Sequence, residues 1–503
     1  MRVTFVTSGL EHLGISALSA YVQQRGHEAT LVYEAKPFSS NSGPDSPLLS
    51  RLLEPSPERT AEKIVATSPD VVAFSSYTIT HRWSVEVARA VKRLRRVPIV
   101  FGGPHVSGAP AESIAEPAVD AVVEGEGEGA LIDLLECAEG DRFGRSDVAN
   151  TWFKGKLVPR KNAVRPLIQD LDELPYADKE IFYSRIPAFE RELYIISRRG
   201  CPFRCSFCEY SIFPQQYPGE KAVRRRSVSH LLGELALYKK RGKMRKVFFW
   251  DAIFTLDVRW MEEFATRYRA EIGVPFECYT HPQAMTRDMA RWLAHAGCHM
   301  VRVGVQTVNA DTLAEMDRQG SKARVEQTVR SLRDHGLPYS LDHILGLPGE
   351  GPDDQRDAIR FYNEVRPARV ISHWMTYLPG TTALARAEKD GILTRAQIER
   401  ILRGEATEGY EAPRLVGAGA SSEALDEIRR LSVLFDLMPL LPREAITWLL
   451  ESGTYRHLPR GLGLQQAIAM LMAIVGDDAT RERMRTILAT AVTSVGQQAR
   501  ATS

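Results

Sequence analysis

Three cysteines within eight residues, Cys201, Cys205 and Cys208, are the part of this sequence best equipped for chemistry. They stand in Arg-Gly-Cys-Pro-Phe-Arg-Cys-Ser-Phe-Cys, a C-x3-C-x2-C pattern directly after an expected strand. Gly200 and Pro202 favour a loop over a helix at that point. Three thiolates on one tight loop can each hold one iron of a cubane cluster, which leaves a fourth iron open to a small chelating molecule. Structural zinc is the alternative. Such sites usually bring a second cysteine pair or a spaced histidine pair. No second pair is present, and no histidine lies within 20 residues on either side of the loop. The remaining cysteines, Cys137, Cys278 and Cys298, are isolated and read as small buried hydrophobes. Six cysteines in 503 residues are too sparse for a disulfide framework.

The elements that must position this loop follow from the apolar patterning. The fold class read from it is α/β. Residues 1–135 alternate short apolar strands (3–7, 29–33, 71–75, 99–102, 119–123) with helices, the pattern of a Rossmann-like, doubly wound parallel sheet. A polar stretch spans 44–68, and a helix is expected near 83–94. Glycines at the strand ends, Gly9, Gly102, Gly103 and Gly125, mark a crevice suited to a ligand. Residues 136–190 read as a linker with a short hairpin near 152–158. A second βα series follows over 191–380. Its strands are expected at 193–197, 246–250, 275–279, 300–305, 339–345 and 369–375, with helices between them and Thr286 as an N-cap. Six such units are enough for a (βα)6 partial TIM barrel. Residues 381–503 are expected to form an all-α domain, with helices near 424–437, 442–451, 464–475 and 480–495.

Composition excludes several classes. Hydrophobic residues make up 44% and charged residues 25%, ordinary for a soluble globular chain. Net charge is +2, from 65 Lys+Arg against 63 Asp+Glu, so no basic footprint for nucleic acid is present. The local runs at Lys221–Arg226 and Lys239–Arg241 read as solvated faces, and nucleic acid is not expected as a partner. Neither a membrane span nor a signal peptide is found, and a cytoplasmic location is expected.

Over 190–380 the chain resembles the radical S-adenosylmethionine (SAM) enzymes. The cysteine triplet carries the resemblance, with the aromatic Phe207 before its last member. Weaker support comes from Phe249-Trp250-Asp251-Ala252-Ile253-Phe254-Thr255, Gly304-Val305-Gln306-Thr307 and Leu345-Gly346-Leu347-Pro348-Gly349-Glu350. The resemblance implies a [4Fe–4S] cluster on Cys201, Cys205 and Cys208. It also implies SAM contacts from Phe207, Asp251, Gln306, Gly346 and Pro348. Ala252 stands where relatives carry a second aspartate, and Gln306 replaces a commoner glutamate.

Residues 1–135 resemble the cobalamin-binding domains fused to one large radical SAM class. The carrying residues are Gly9-Leu10, Pro69–Ser75, Gly102-Gly103-Pro104-His105 and Gly125-Glu126-Gly127-Glu128. The implied cobalamin contacts are Gly9, Leu10, Ser75, Tyr77, Thr78, His81, Gly102, Gly103, His105, Gly125 and Glu126. Tyr77 to His81 are expected beneath the corrin, and His105 near the nucleotide tail. The Asp-x-His-x-x-Gly motif that supplies a cobalt ligand elsewhere is absent, since Glu11-His12-Leu13-Gly14 has the wrong spacing. A methylthiotransferase would need three further cysteines in this domain, and only Cys137 is near.

Together these resemblances imply C-methylation of an unactivated carbon in a small, biosynthetic molecule. One SAM would methylate cobalamin and a second would supply a 5′-deoxyadenosyl radical. A non-methylating oxidoreductase or cyclase is the alternative, and a cobalamin or light sensor that has lost catalysis is a third. An external electron donor such as flavodoxin or ferredoxin is implied. Asp342, His343, His373, Trp374 and Tyr377, at late strand ends, are the expected substrate-facing residues.

Overall fold

The computed structural model describes residues 1–9, 11–34, 56–140, 142–143, 147–155, 158–405 and 421–458. Leu10 and the helices expected at 464–475 and 480–495 lie outside the described residues. The first sheet contains β1 (Arg2–Ser8), β2 (Glu28–Glu34), β3 (Val71–Ser75), β4 (Ile99–Gly102), β5 (Ala121–Val123), β6 (Thr151–Phe153) and β7 (Arg160–Lys161). Their order is β2-β1-β3-β4-β5-β6-β7. The first five are parallel, and β6 and β7 are added antiparallel. Val3, Phe5 and Val6 of β1 and Val71, Val72 and Phe74 of β3 are buried, as expected of strands covered on both faces. The order reverses between β1 and β3, and an open α/β sheet offers its crevice at such a point.

Three stretches differ from the sequence expectation. Within the expected polar stretch lies a helix, Pro57–Ala66, with Ser56 Oγ accepting from Arg59 N at 3.5 Å and proline in its first turn. Its apolar side is narrow (Thr60, Ala61 and Ile64), so its charged face made it read as loop. The next helix starts at Thr78 rather than near residue 83. Its β-branched opening is a poor helix former, but Thr80 Oγ1 accepts from Tyr77 N at 3.2 Å and holds the turn. The expected linker also contributes structure: β6 and β7 extend the first sheet, tied by Trp152 Nε1 donating to Glu124 at 2.6 Å. Further along, Lys179 forms an ion pair with Glu11 at 2.5 Å, both side chains 2% exposed or less.

The second sheet is built from β8 (Glu192–Ile195), β11 (Lys246–Phe249), β12 (Phe276–Thr280), β13 (Cys298–Gln306), β14 (Tyr339–Leu345) and β15 (Arg369–Trp374). Its order is sequential, from β8 at one edge to β15 at the other, and every pairing is parallel. A short antiparallel ribbon, β9 (Arg198–Arg199) with β10 (Arg224–Arg225), follows β8. Helices Val228–Lys239, Val258–Glu271, Arg287–Ala296, Lys322–Asp334 and Pro352–Val365 join the strands, and Thr286 caps the third, accepting from Met289 N at 3.1 Å. Side chains alternate: Val301, Val303 and Val305 and Leu341, His343 and Leu345 are buried towards the helices. Arg302, Gly304 and Gln306 and Ser340, Asp342 and Ile344 therefore point to the concave side.

Helices Thr382–Lys389, Arg395–Leu402, Ser422–Leu437 and Arg443–Glu451 follow. Ile428, Leu431, Leu434 and Phe435 are buried, placing Ser422–Leu437 in the main core. Gly108 packs against the Pro379 backbone, and a Cβ at Gly380 would sit 3.0 Å from Gly108. The segment after β15 therefore returns to the first sheet. Among the described residues no helix is long and apolar enough to cross a membrane.

The basic run from Lys221 to Arg226 is largely spent internally. Arg224, its side chain 1% exposed, pairs with Glu126 at 2.7 Å. Arg226 pairs with Glu234 at 2.6 Å, and Arg225 pairs with Asp257. Arg224→Ala is expected to cost about 3 kcal/mol, because it takes one of two guanidiniums from the buried Glu126 carboxylate. Arg225→Ala, at a part-exposed pair, is expected to cost under about 1 kcal/mol. Urea unfolding of both variants checks this; an equal or smaller loss at Arg224 would contradict it.

Candidate functional site

The cysteine loop hangs from the end of β8 by a clamp. Asp251, just past β11, accepts from Ser197 N at 2.9 Å, Arg198 N at 2.7 Å and Ser197 Oγ at 3.1 Å. Burial nonetheless pushes its carboxyl up to about 6. Gly200, at φ +86°, turns the chain into the loop, and any Cβ there would collide with the Ala222 carbonyl. Phe203 stacks on His281 with centroids 4.0 Å apart. Ser206 N donates to the Met316 carbonyl at 2.9 Å, and Cys208 N to the Cys205 carbonyl at 3.0 Å. Phe207 packs against a cluster containing Met316, Leu347, Met375 and Tyr377.

The three thiols face one another closely enough for each charge to oppose the next. Burial, and then the neighbouring groups, push Cys208 up to about 12 and raise Cys201. A bound iron reverses this balance, because a coordinating thiol is deprotonated outright. Among the described residues no group of three or more His, Cys, Asp or Glu side chains could hold a single metal ion. A cubane instead takes one iron per cysteine, and the donor set fits it.

Sequence reasoning missed Arg318. Its Nη1 donates to Cys205 Sγ at 3.2 Å, its Nε to the Val305 carbonyl at 3.3 Å, and its Nη2 to the Gly304 carbonyl. No spacing pattern announced it; only the fold brings the turn after β13 to the cysteines. Gln306, at φ +72°, ends β13. A Cβ on Gly304 would lie 3.0 Å from the Gln306 amide and 3.5 Å from Arg318. Gly346 and Gly349 turn with φ of +70° and +82° around Pro348. Glu350 locks this turn to β13, accepting from Thr307 Oγ1 and from Gln355 Nε2 at 3.0 Å, and burial pushes it up to about 7. Phe207, Gln306 and Arg318 thus surround the loop, whereas Asp251 lies behind it with one oxygen on the Ser197 and Arg198 amides and the other on the Ser197 hydroxyl.

The crevice of the first sheet lies at the ends of β1 and β3. Gly9, at φ +93°, faces open space, with nothing within 4 Å of a Cβ placed there. Ser8 Oγ, Ser76 Oγ and His12 Nε2 are buried without a hydrogen-bond partner. A wide ligand rich in amide and phosphate groups can engage such atoms, so the residues fit a corrin with its nucleotide tail. Gly103 has φ +100°, and its Cβ would stand 2.8 Å from Ser76 N and 3.2 Å from Ser75 Oγ; Gly102 meets only Val123, at 3.8 Å. Tyr77 stacks on His12 at 4.8 Å and is 42% exposed, yet burial and then the Glu209 carboxylate raise its phenol. Its ring therefore stands in a recess, crowded on most sides and open on one. Thr78 is the first residue of the helix behind it.

Several expected ligand contacts serve packing. Glu126 is held by Arg224 and by Arg199, the latter at 3.1 Å, and Gly125 sits under the Tyr217 hydroxyl. His81 and His105 stack at 3.9 Å; His105 Nε2 lies 3.0 Å from the Leu402 carbonyl, and Gly404 closes over the His81 Cβ. Burial pushes them down to about 2 and about 4, so both are neutral. Of the expected substrate-facing residues, Asp342 and the exposed His373 point to the concave side. His343 does not: it is sealed beneath helices, with Nδ1 3.0 Å from Tyr362 Oη and Nε2 2.8 Å from Gln355 Oε1. Trp374 likewise packs on the outer side, with Arg429 5.8 Å from its ring. Tyr377 is buried among Met316, Leu347 and Leu384. Register explains the misassignment, since adjacent strand residues face opposite ways.

Asp251→Ala is expected to leave the Ser197 and Arg198 amides without an acceptor and to cost about 1–3 kcal/mol. Iron content after anaerobic reconstitution should fall with it, and iron bound at the wild-type ratio would contradict the clamp.

Residues 3–135 match the family model of the B12 binding domain, and residues 195–362 match that of the radical SAM superfamily. The chain is 25% identical over 311 residues to an uncharacterised methyltransferase of Pyrococcus horikoshii, covering 60% of this chain and 65% of that protein. It is 24% identical over 339 residues to the anaerobic magnesium-protoporphyrin IX monomethyl ester cyclase of Rubrivivax gelatinosus, covering 64% and 59%. The matched region is thus less than two thirds of either relative. A structure of the cobalamin-dependent S-adenosylmethionine radical enzyme OxsB, with aqua-cobalamin and S-adenosylmethionine bound, aligns with a TM-score of 0.66 at 13% identity. That match covers 100% of this chain and 80% of the other, a likeness of fold. Both family matches fall on the crevice and the cysteine loop singled out by geometry, and the chain joins a B12-binding domain to a radical SAM domain, whose cofactors are cobalamin, SAM and a [4Fe–4S] cluster.

Proposed function

We propose that this enzyme methylates an unactivated carbon of a small molecule. The observation that carries the reading is the contact of the segment after Cys208 with the strand ends of the first sheet. Gln216, eight residues after Cys208, donates to the Ser107 carbonyl at 2.8 Å, and the Tyr217 hydroxyl accepts from Glu126 N at 3.0 Å. A substrate held there would lie between the two cofactors. When bound, the cluster and SAM supply a hydrogen-abstracting radical and cobalamin supplies the methyl group.

The chain's own residues position and shield. Cys201, Cys205 and Cys208 hold the cluster. The Arg318 guanidinium, close to Cys205, would offer a cation to the SAM carboxylate, and Gln306 would offer a donor and an acceptor beside it. Phe207, Gly346 and Pro348 wall the same space. Ser8, Gly9, Ser76 and Gly103 shape the corrin crevice. On this reading residues 1–135 are the cobalamin domain, 191–380 a partial barrel open at one side, and 381–503 a helical cap. An electron donor of the flavodoxin or ferredoxin type supplies the reducing electron, and the cytoplasm is the compartment that suits it. The cyclase relative favours a second reading, rearrangement without methyl transfer.

The test is anaerobic reconstitution with iron, sulfide and hydroxocobalamin, then incubation with SAM and a reductant. Mass spectrometry is expected to find both 5′-deoxyadenosine and S-adenosylhomocysteine, and Cys205→Ala to abolish deoxyadenosine. Deoxyadenosine without S-adenosylhomocysteine, with cobalamin bound, would move the assignment to the second reading. A wild-type level of deoxyadenosine from Cys205→Ala would overturn the cluster assignment itself.

A further inference from the structure

Each sulfur of the cysteine loop meets an N–H, but not the same kind of N–H. The Phe203 amide donates to Cys201 and the Tyr210 amide to Cys208. Both are neutral backbone donors from the loop itself. Cys205 is met by a charged side chain 113 residues further along the chain, its Sγ accepting from Arg318 Nη1 at 3.2 Å. Among the described residues Arg318 forms no ion pair. Asp342 lies within reach of its charge without pairing with it. Arg318 is half-buried, so water screens that charge only in part.

The fold holds this guanidinium in place. Helix Ala310–Glu315 ends at Met316, Asp317 turns the chain at φ +50°, and Arg318 N donates back to the Leu313 carbonyl at 2.9 Å. Two other segments pin the turn. Ser206 N, next to Cys205, donates to the Met316 carbonyl at 2.9 Å. Arg386, from the chain after β15, pairs with Asp317 at 2.7 Å and donates to the Glu315 carbonyl. Arg318 Nε and Nη2 then reach the Val305 and Gly304 carbonyls at the end of β13. A guanidinium has five N–H donors. These contacts engage three of them, which leaves two for a ligand such as the SAM carboxylate.

Three thiolates outweigh the charge of a cubane core, and a reducing electron makes the site more negative still. Hydrogen bonds to the sulfurs set the potential of such a cluster. A bond from a charged donor is roughly twice as strong as one from a neutral donor. A fixed cation on one thiolate therefore favours the reduced form over the oxidised one.

We propose that Arg318 sets the reduction potential of the cluster, raising it through its bond to Cys205. One electron leaves a low-potential donor of the flavodoxin or ferredoxin type and enters the cluster. The donor is oxidised by one electron, the cluster is reduced by one, and no proton is taken up. Arg318 eases this transfer before SAM binds. The inference rests on the three cysteines holding the cluster and is independent of methyl transfer.

The test uses the full-length chain, reconstituted anaerobically with iron and sulfide and kept free of SAM. A redox titration followed by EPR reads the midpoint potential of the cluster. Arg318→Leu is expected to lower it by about 59 mV, a tenfold loss in the equilibrium constant of a one-electron couple. Arg318→Lys keeps the charge but loses the planar fork, and should fall between the two. A wild-type potential in Arg318→Leu, at the same iron content, would overturn the proposal. A second measurement needs no variant. Wild-type protein carrying arginine enriched in the heavy nitrogen isotope is reduced and examined by pulsed EPR. A nitrogen coupled to the cluster spin is expected, and its absence would overturn the proposal even where the variants bind no cluster. A wild-type chain that binds no iron would remove the cysteine assignment and the proposal with it.

Discussion

The architecture depends on Glu126 being held between two arginines. Glu126 leaves the end of β5 in the first sheet; Arg199 and Arg224 belong to the ribbon beside the cysteine loop. Burial alone would raise the carboxyl. The two guanidiniums outweigh it and bring it below the usual range. The pair therefore stabilises the chain above the ordinary carboxylate pKa, and that contribution fades as pH falls through the lowered value. Buried ion pairs are seldom a net gain over a packed apolar contact, but a missing partner is heavily penalised. Such a contact specifies one arrangement more than it strengthens it. Here the arrangement is two parallel sheets whose carboxyl ends face each other.

A second constraint concerns which side of the second sheet is wet. The outer face is packed with aromatic rings, among them Phe249, Phe254, Phe264, Tyr268 and Phe276. The concave face carries charges that cancel at the base and a carboxylate that is unmet near the top. Period-two alternation builds both surfaces from the same strands. The glycine at 304 is needed because Gln306 and Arg318 occupy the space its side chain would take.

Much of this was legible in the sequence. The cysteine spacing located the loop, and the apolar runs located the strands of both sheets within a few residues. What escaped had physical reasons. Pro57–Ala66 buries a narrow stripe and shows mostly charge. His343 and Trp374 sit at strand ends that looked functional, but nothing local fixes the direction of a strand's faces, and register turned both outward. Glu126 resembled a ligand contact because it lies between two glycines, whereas the basic run that claims it begins nearly a hundred residues later. Arg318 reaches the cysteines only through the turn after β13.

The His81–His105 stack illustrates how the pieces interlock. A histidine in a cofactor domain reads at once as a ligand, yet these two are neutral, stacked and roofed by residues 402–404. Burial disfavours their charged forms, so the pair packs as neutral imidazoles. Their position joins the segment after β15 to the helix that begins at Thr78, one residue past Tyr77. The ring of Tyr77 itself stacks on His12 at 4.8 Å, so that helix enters the crevice with its N-terminal end fixed on both sides.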